Sequence, residues 1–233
     1  MIVLALDTAA GACSAAVTRD GAVLATRSEP MTRGHQERLA PLVQETMLAA
    51  GLAFSQIDRI GVTVGPGSFT GLRVGLAFAK GLGLALSKPC IGVGALEALA
   101  ASDPGPGLTA AVIDAKRGQV YLQVFQDGVP VMAPDVLPVE IAAARLAEFW
   151  GGGLARLVGP SAALLADVLP GAEVHERAAP DPAALARLAA AKPAGIPARP
   201  LYLRAPDAKL PGGRDLPMEE GPMEDGPIED GPA

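Results

Sequence analysis

The segment that most constrains this chain is a glycine-rich turn between an apolar strand and an apolar helix. The turn consists of Gly65-Pro66-Gly67-Ser68-Phe69-Thr70-Gly71-Leu72-Arg73. Before it, Ile60–Val64 has the character of a buried parallel strand, and after it Val74–Leu86 contains Lys80 as its only charge. Glycine permits the tight turn, and Ser68 is a preferred N-cap residue. We therefore predict a strand, a turn and a helix that must be covered on all sides by its own domain or by another chain.

Small residues recur at every fourth position of this helix, at Gly71, Gly75, Ala79 and Gly83. Such a face would let a second helix approach closely, although burial inside a single domain would produce the same pattern. The helix start could also attract an anion through its backbone N–H groups. A P-loop would need Gly-Lys-Ser/Thr after the glycines, and since that sequence is missing we expect a simple cap.

The composition limits the size of the core and indicates the compartment. With 233 residues, 50% hydrophobic but only 3% aromatic, the chain can bury one good core or two small ones built from Ala, Val and Leu. Val74–Leu86 is too short and too rich in glycine to span a bilayer, and the N-terminus begins directly with a strand. Cys13 and Cys90 stand in separate apolar contexts, which favours reduced thiols. We expect a cytoplasmic protein without a membrane segment.

The net charge of −6 is confined to the C-terminus. Residues 211–233 contain seven acidic residues and one basic residue, which leaves 18 of each in residues 1–210. A neutral body with few aromatic residues is a poor candidate for unaided binding of nucleic acid. The tail repeats a five-residue unit of proline, acids and glycine, and this composition predicts a disordered segment.

The order of the predicted elements is repeated along the chain. In the first half we predict strands at Ile2–Asp7, Ala12–Arg19, Ala22–Arg27, Ile60–Val64 and Cys90–Val93, and helices at Gln36–Ala50 and Phe69–Leu86. In the second we predict strands at Ala110–Asp114, Gln119–Gln126, Val129–Pro134 and Ala155–Gly159, and helices at Val139–Trp150 and Ala162–Val168. Asp20-Gly21 and Asp127-Gly128 are the expected hairpin turns.

This order is typical of a ribonuclease H-like domain, in which helices cover a mixed sheet. Two such halves make up the architecture shared by actin, Hsp70 and the sugar kinases. We therefore predict an α/β chain with a duplicated ribonuclease H-like fold. The predicted divisions are an N-terminal domain at 1–101, a Pro/Gly-rich linker at 102–107, a second, degenerate domain at 108–210 and the acidic tail at 211–233.

Several stretches together resemble the TsaB family, also called YeaZ. They are Leu4-Ala5-Leu6-Asp7-Thr8, Gly34-His35-Gln36-Glu37-Arg38-Leu39 running into Pro41-Leu42-Val43, the Gly65–Arg73 turn, Asp114-Ala115-Lys116-Arg117 followed by Val120-Tyr121, and Tyr202-Leu203-Arg204. The resemblance is specific over residues 1–126, weak over 127–210 and absent from the acidic repeat. The turn in its strand–helix setting is strong evidence, whereas the Asp-Thr pair alone would be weak.

The resemblance implies a role in making N6-threonylcarbamoyladenosine at position 37 of tRNAs that read codons beginning with A. In that pathway TsaD transfers the threonylcarbamoyl group, TsaB is its non-catalytic partner of similar fold, and the small ATPase TsaE joins the pair. The resemblance therefore implies a TsaD-like and a TsaE-like partner, no cofactor, and contact with tRNA only through the complex. The alternative is a degenerate actin-like ATPase or kinase that acts alone.

The family dimerises through the helices of its N-terminal domain, which here are Gln36–Ala50 and Phe69–Leu86. The resemblance thus implies a partner interface on these two helices, which could also support a homodimer. The expected interface residues are Leu39, Val43, Met47, Phe69, Gly71, Leu72, Gly75, Phe78, Ala79 and Leu82.

Relatives of the TsaD type carry two metal-binding histidines, four residues apart in a His-Leu-Glu-Gly-His pattern, on one face of a helix. Ala95 and Leu99 stand at the corresponding positions here. Neither can bind a metal, so we expect no metal site and no transferase or peptidase chemistry. His35 and His175 belong to no nucleophile motif, and His35 is expected to cap or to pack.

The first predicted strand of each half ends in an aspartate, at the position where actin-like ATPases have an acidic residue that faces phosphate. These are Asp7 and Asp114, and with Thr8 they would line a vestigial nucleotide cleft. A two-metal nuclease would need several converging carboxylates. Ile60–Val64 supplies none, which argues against a nuclease.

Overall fold

The computed structural model describes residues 1–204, in which helices cover two β-sheets. The acidic repeat at 211–233 and the last residues of the predicted second domain lie outside the described residues, and their predictions stay untested.

Five strands form the first sheet. They are β1 (Ile2–Asp7), β2 (Ala12–Arg19), β3 (Ala22–Pro30), β4 (Arg59–Gly65) and β5 (Cys90–Gly94), in the order β3-β2-β1-β4-β5. Strand β1 pairs antiparallel with β2 and parallel with β4, so the sheet is mixed. The helices α1 (His35–Ala49) and α2 (Phe69–Leu86) pack on one face of this sheet, and the short helix α3 (Ala95–Ala100) follows β5.

The second sheet has the same type of architecture. Its strands are β6 (Leu108–Lys116), β7 (Gln119–Gln126), β8 (Val129–Pro130), β9 (Asp135–Pro138), β10 (Ala155–Val158) and β11 (Glu173–His175). Their order is β11-β10-β6-β7-β8, and β9 also pairs with β7. Helix α4 (Val139–Phe149) and a 3₁₀ helix at Ala162–Val168 pack around the buried Val112 and Leu122.

The predicted bounds are confirmed to the residue for β1, β2, β7 and α2. The strand predicted at Val129–Pro134 is wrong, because the chain forms the two short strands β8 and β9 around prolines, which lack the N–H group a ladder needs. Ala162–Val168 is a 3₁₀ helix instead of an α-helix. The sequence pattern did not predict α3, β11 or the last helix, α5 (Pro182–Ala191).

Helix α5 covers the face of the first sheet that is opposite to α1 and α2. Gly61 in β4 allows the close approach, since a Cβ at this position would lie 2.6 Å from the Cβ of Ala189. Arg59 holds the end of the helix, because its Nη1 donates to the carbonyls of Ala189, Ala190 and Lys192 at 2.9–3.1 Å. The central strands β2, β1 and β4 of the first sheet are therefore buried on both faces, and their second cover comes from the C-terminal part of the chain.

Two sets of contacts lie where the chain passes from the first sheet to the second. In α3, Leu99 packs in a core cluster with Phe125 of the second sheet. In the predicted linker, the Asp103 carboxylate accepts hydrogen bonds from Nε and Nη2 of Arg177, and Nδ1 of His175 lies 3.3 Å from it. The division of the chain into domains at this linker stays a prediction.

Within residues 1–204, α2 is the one helix whose length and hydropathy would allow it to cross a bilayer. One third of it is buried inside the protein, where it packs on the first sheet. A helix that covers a sheet meets the same criteria, so the finding alone does not indicate a membrane span.

Replacing Asp103 with Asn should destabilise the fold at neutral pH. Arg177, and to a smaller extent His175, lowers the pKa of Asp103 below its ordinary value. A carboxyl group with a lowered pKa adds stability above its unfolded-state pKa of about 4, and this contribution is lost as the pH falls through the folded-state pKa. We expect Asp103→Asn to lower the free energy of unfolding by about 1–2 kcal/mol at neutral pH, measured by urea denaturation.

The difference in the free energy of unfolding between the parent chain and Asp103→Asn should become smaller when the urea denaturation is repeated below about pH 4. Asp167→Asn is the matched control, because Asp167 is exposed and the substitution removes the same charge. Asp167→Asn should have the same free energy of unfolding as the parent chain at both pH values. A gap for Asp103→Asn that stays constant with pH would contradict the ion-pair explanation.

Candidate functional site

The start of α2 is fixed against the loop that follows β1. The Ser68 hydroxyl accepts a hydrogen bond from the Gly71 N–H at 3.2 Å, which confirms the predicted N-cap. The Ser68 N–H donates to the Ala9 carbonyl at 2.8 Å, and Thr8 Oγ1 donates to the Gly71 carbonyl at 2.7 Å. A Cβ at Gly67 or Gly71 would collide with the backbone of Ala9 or Thr8, so both positions require glycine. The loop after β1 thus packs against the start of α2, which agrees with the predicted simple cap.

The small residues of α2 face the chain's own sheet. A Cβ at Gly75 would lie 2.6 Å from Thr8 Oγ1, and one at Gly83 would lie 2.9 Å from the Lys88 carbonyl. Ala79 is fully buried in the core beneath α2. The expectation of a partner helix along this face is wrong, because the first sheet and its loops already use the close approach that small residues allow.

Seven of the ten predicted interface residues are buried in this core. They are Leu39, Val43, Met47, Gly71, Leu72, Gly75 and Ala79. Apart from Leu39, whose side chain lines a groove between α1 and α2, a partner could not touch them without opening the fold, so the structure corrects their assignment to an interface. The other three, Phe69, Phe78 and Leu82, are exposed or half-buried, and their role in an interface stays a prediction.

The outward side of α2 is also apolar. Leu84 of α2 is 84% exposed and Leu48 of α1 is 82% exposed. A groove of about 520 Å³ opens between the first halves of α1 and α2, lined by Gln36, Leu39, Phe69, Thr70, Arg73, Val74, Ala77 and Phe78. We call the outward residues Leu48, Phe69, Arg73, Ala77, Phe78, Gly81 and Leu84 the α1–α2 face. Exposed apolar helix surface of this kind is typical of a protein–protein contact.

An aromatic and cationic group forms one end of the α1–α2 face. The rings of Phe69 and Tyr202 are 5.4 Å apart, and the Arg73 guanidinium lies 3.8 Å from the centre of the Phe69 ring. The Leu201 N–H donates to the Val64 carbonyl at 2.7 Å, which holds Tyr202 in place. These side chains offer a partner a stacking surface and a positive charge.

The predicted interface residues omit the outward positions Arg73, Ala77 and Gly81. A signal for them was present, because they lie two residues before Gly75, Ala79 and Gly83 and therefore on the opposite side of the helix. Once the small residues are placed on the sheet, the outward face follows from the helical period.

The residues of the predicted nucleotide cleft differ in their surroundings. Asp7 is fully buried and accepts a hydrogen bond from the Ala9 N–H at 3.0 Å, and burial raises the pKa of its carboxyl group. Thr8 is 1% exposed. Asp114 lies at the surface, where the side chain and the N–H of Lys116 donate to it at 2.7 Å and lower its pKa. As folded, neither Asp7 nor Thr8 presents side-chain surface to a nucleotide, and the cleft stays a prediction.

The positions that correspond to metal-binding histidines lie in the core. Ala95 and Leu99 belong to α3 and are each 1% exposed. His35 starts α1 and is buried, whereas His175 lies between the carboxylates of Asp103 and Glu173. Within residues 1–204 no group of three or more His, Cys, Asp or Glu side chains is arranged to hold a metal ion.

Comparisons with known proteins agree with this structure. A family model of TsaD, tRNA N6-adenosine threonylcarbamoyltransferase, matches residues 24–139. An uncharacterized protein of Mycobacterium tuberculosis is 36% identical over 225 residues, which covers 89% of this chain and 93% of that protein. The tRNA threonylcarbamoyladenosine biosynthesis protein TsaB of Escherichia coli is 40% identical over 129 residues, 54% of this chain and 55% of that protein. The structure of YeaZ from Pseudomonas aeruginosa has a TM-score of 0.73 at 33% identity, over 87% of this chain and 99% of that chain.

The sheet topology and the match to YeaZ show that this is an α/β chain with a duplicated ribonuclease H-like fold. The predicted fold class is therefore confirmed. The identity to TsaB and to YeaZ also shows the family: the chain belongs to the TsaB (YeaZ) family.

Two substitutions on the same helix test which side of α2 faces the sheet. Gly75→Leu should lower the free energy of unfolding by about 1–3 kcal/mol, because the new side chain would overpack the core around Thr8. Gly81→Leu should leave it unchanged or raise it by up to about 1 kcal/mol, since nothing lies within 4 Å of a Cβ there and leucine favours helix. Urea denaturation measures both, and equal stabilities would contradict the inward orientation of the small residues.

Proposed function

We propose that this chain acts in the synthesis of tRNA N6-threonylcarbamoyladenosine as a non-catalytic dimerisation subunit. The complex would transfer the threonylcarbamoyl group to N6 of adenosine 37 in tRNAs that read codons beginning with A. Membership of the TsaB family supports this proposal, and so do the match to the TsaD family model and the relative named TsaB.

The observation that carries the subunit role is the α1–α2 face. Its exposed leucines, Leu48 and Leu84, and the groove beside Phe78 leave apolar area in water that a partner would cover. Arg73 at one end supplies a charge that an acidic group of the partner would pair with. The proposed partner is a TsaD-like chain, and in its absence the same face could join two copies of this chain.

The absence of catalysis is proposed from α3. Ala95 and Leu99 have alkyl side chains and are packed in the core, so neither can replace a metal-binding histidine. The burial of Asp7 and Thr8 argues against the alternative of an ATPase that acts alone. In this proposal a TsaE-like ATPase joins the pair in the cytoplasm, and tRNA binds only through the complex.

The isolated chain should form no threonylcarbamoyladenosine from tRNA and synthetic threonylcarbamoyl-adenylate. Addition of a TsaD-like and a TsaE-like protein should produce the modified nucleoside, detected by mass spectrometry of the digested tRNA. Modified adenosine formed by this chain alone, or stoichiometric zinc or iron in the purified chain, would contradict the non-catalytic role.

Ala77→Arg should weaken association with the TsaD-like partner by at least about tenfold, because it places an unpaired charge in the apolar contact. Ala77 is exposed, so the folded chain should keep its melting temperature. Sedimentation velocity of mixtures measures the association.

The matched control is Ile141→Arg, which adds the same side chain at a 49% exposed position of α4. It should bind the partner as the parent does. If Ala77→Arg associates with the partner as strongly as the parent, or if both variants lose the same affinity, the proposal that the α1–α2 face binds the partner would be contradicted.

A further inference from the structure

The Asp7 carboxyl group lies between two hydroxyl groups on the face of the first sheet that α5 covers. Asp7 of β1 is the direct cross-strand partner of Ser14 of β2. On the other side of β1, Leu6 pairs with Val62 of β4, so the next residue, Thr63, is the neighbour of Asp7. Residues that lie side by side on neighbouring strands share a face of the sheet. The two hydroxyl groups therefore flank the carboxyl group from opposite sides.

The C-terminal part of the chain separates Asp7 from water. Helix α5 packs on Ala5, which is two residues before Asp7 and on the same face of β1. The residues that lead into α5 reach the loop after β1, where the Gly11 N–H donates to the Ala178 carbonyl at 3.0 Å. We call residues 178–191 the cover. With the cover in place, Asp7 is 0% exposed.

The described residues place no strong counter-charge beside the Asp7 carboxyl group. His35, at the start of α1, is the titratable side chain that acts on it, and this influence is the smallest of those on the pKa of Asp7. The Cys13 thiol of β2 is neutral at neutral pH, because burial and the charge of Asp7 raise its pKa to about 11. In the cover, Arg187 lies 3.8 Å from the carboxylate of Asp181.

The other cationic side chains of the elements around Asp7 are engaged elsewhere. Arg19 is exposed at the opposite end of β2, and Arg59, at the opposite end of β4, donates to carbonyls at the end of α5. Arg38 of α1 binds two surface carboxylates, and Arg73 of α2 lies over the Phe69 ring. A buried carboxylate without a counter-charge is strongly destabilising, so this environment favours the neutral carboxyl group.

The hydrogen bonds of Asp7 leave one oxygen for a proton. Oδ1 accepts a hydrogen bond from the Ala9 N–H at 3.0 Å, whereas Oδ2 has no partner among the described residues. The hydroxyl oxygens of Ser14 and Thr63 have no partner there either. A protonated Oδ2 becomes a donor, and a hydroxyl oxygen beside it can accept. Orphaned buried polar atoms are rare in folded proteins, and a proton on Oδ2 supplies the donor that these oxygens lack.

We propose that the Asp7 carboxyl group carries a proton on Oδ2 while the cover lies on the sheet, and that it ionises when the cover is displaced. Burial raises the pKa of Asp7, which agrees in direction. Because displacement of the cover releases a proton, a rise in pH favours the uncovered state by up to about tenfold per pH unit above about pH 4, the ordinary pKa of aspartate. Asp7 thus makes the stability of this face depend on pH. The proposal does not depend on the proposed function.

The test compares the parent chain with Asp7→Asn by urea denaturation between pH 5 and pH 9. A carboxyl group with a raised pKa contributes stability that is present below about pH 4 and is lost as the pH rises through its folded-state pKa. The amide of Asp7→Asn cannot ionise. The unfolding equilibrium constant of the parent, divided by that of Asp7→Asn, should therefore rise by about tenfold per pH unit until Asp7 ionises in the folded chain. For Asp167→Asn, which alters an exposed carboxyl group, the same ratio should stay constant.

Infrared spectroscopy keeps the test independent of how Asp7→Asn folds. Exposed carboxyl groups are ionised at pH 7, so the C=O stretch of a protonated carboxyl group in the folded parent would come from a buried one. The parent should show this band at pH 7 and lose it on heat denaturation. A ratio of unfolding constants that does not change with pH, or the absence of the band from the folded parent, would overturn the proposal.

Discussion

The close packing of the loop after β1 on the start of α2 determines the arrangement of the N-terminal half. Ser68 and Thr8 each contribute a hydrogen bond to this contact, and Gly67 and Gly71 leave room for it. With its start fixed there, α2 lies with its small residues on β1 and β4, and its other apolar side is left outside. A single local constraint, two glycines that admit a neighbouring backbone, therefore decides which residues form the core and which form the α1–α2 face.

The exposed face follows from a property of the sequence that composition alone conceals. Helix α2 is apolar over most of its surface, but its inward side carries four small residues, Gly71, Gly75, Ala79 and Gly83, beside Leu72 and Leu76, whereas its outward side includes Phe69, Phe78 and Leu84. Small residues bury little area themselves but permit close approach, so they suit a contact within the chain that is fixed at the helix start. The larger side chains gain more from association, because burial of a large apolar side chain stabilises by about 1.5–3 kcal/mol. This division supports a helix that completes its own fold and also binds another protein.

The sequence predicted the fold class, the hairpin turns and the bounds of β1, β2, β7 and α2 closely, because strong periodicity and glycine mark them. It predicted the two helices of the proposed interface but selected mostly their inward residues, since an all-apolar helix has no polar side to orient it. Helix α5 was missed although its local signals were present, namely the Asp181 N-cap, Pro182 at the first helical position and a run of alanines. No local signal shows that this helix crosses to the first sheet. Burial of Asp7 depends on that crossing, and no sequence pattern near Asp7 indicates it.

Hydrogen exchange of the full chain, alone and mixed with the TsaD-like partner, tests the central claim most directly. If the partner covers the α1–α2 face, peptides from His35–Ala49 and Phe69–Leu86 should exchange more slowly in the mixture. Peptides from α4, Val139–Phe149, should exchange at the same rate in both samples. Slower exchange confined to α4 and the second sheet, with α1 and α2 unchanged, would contradict the claim that the outward side of α2 is the surface that binds the partner.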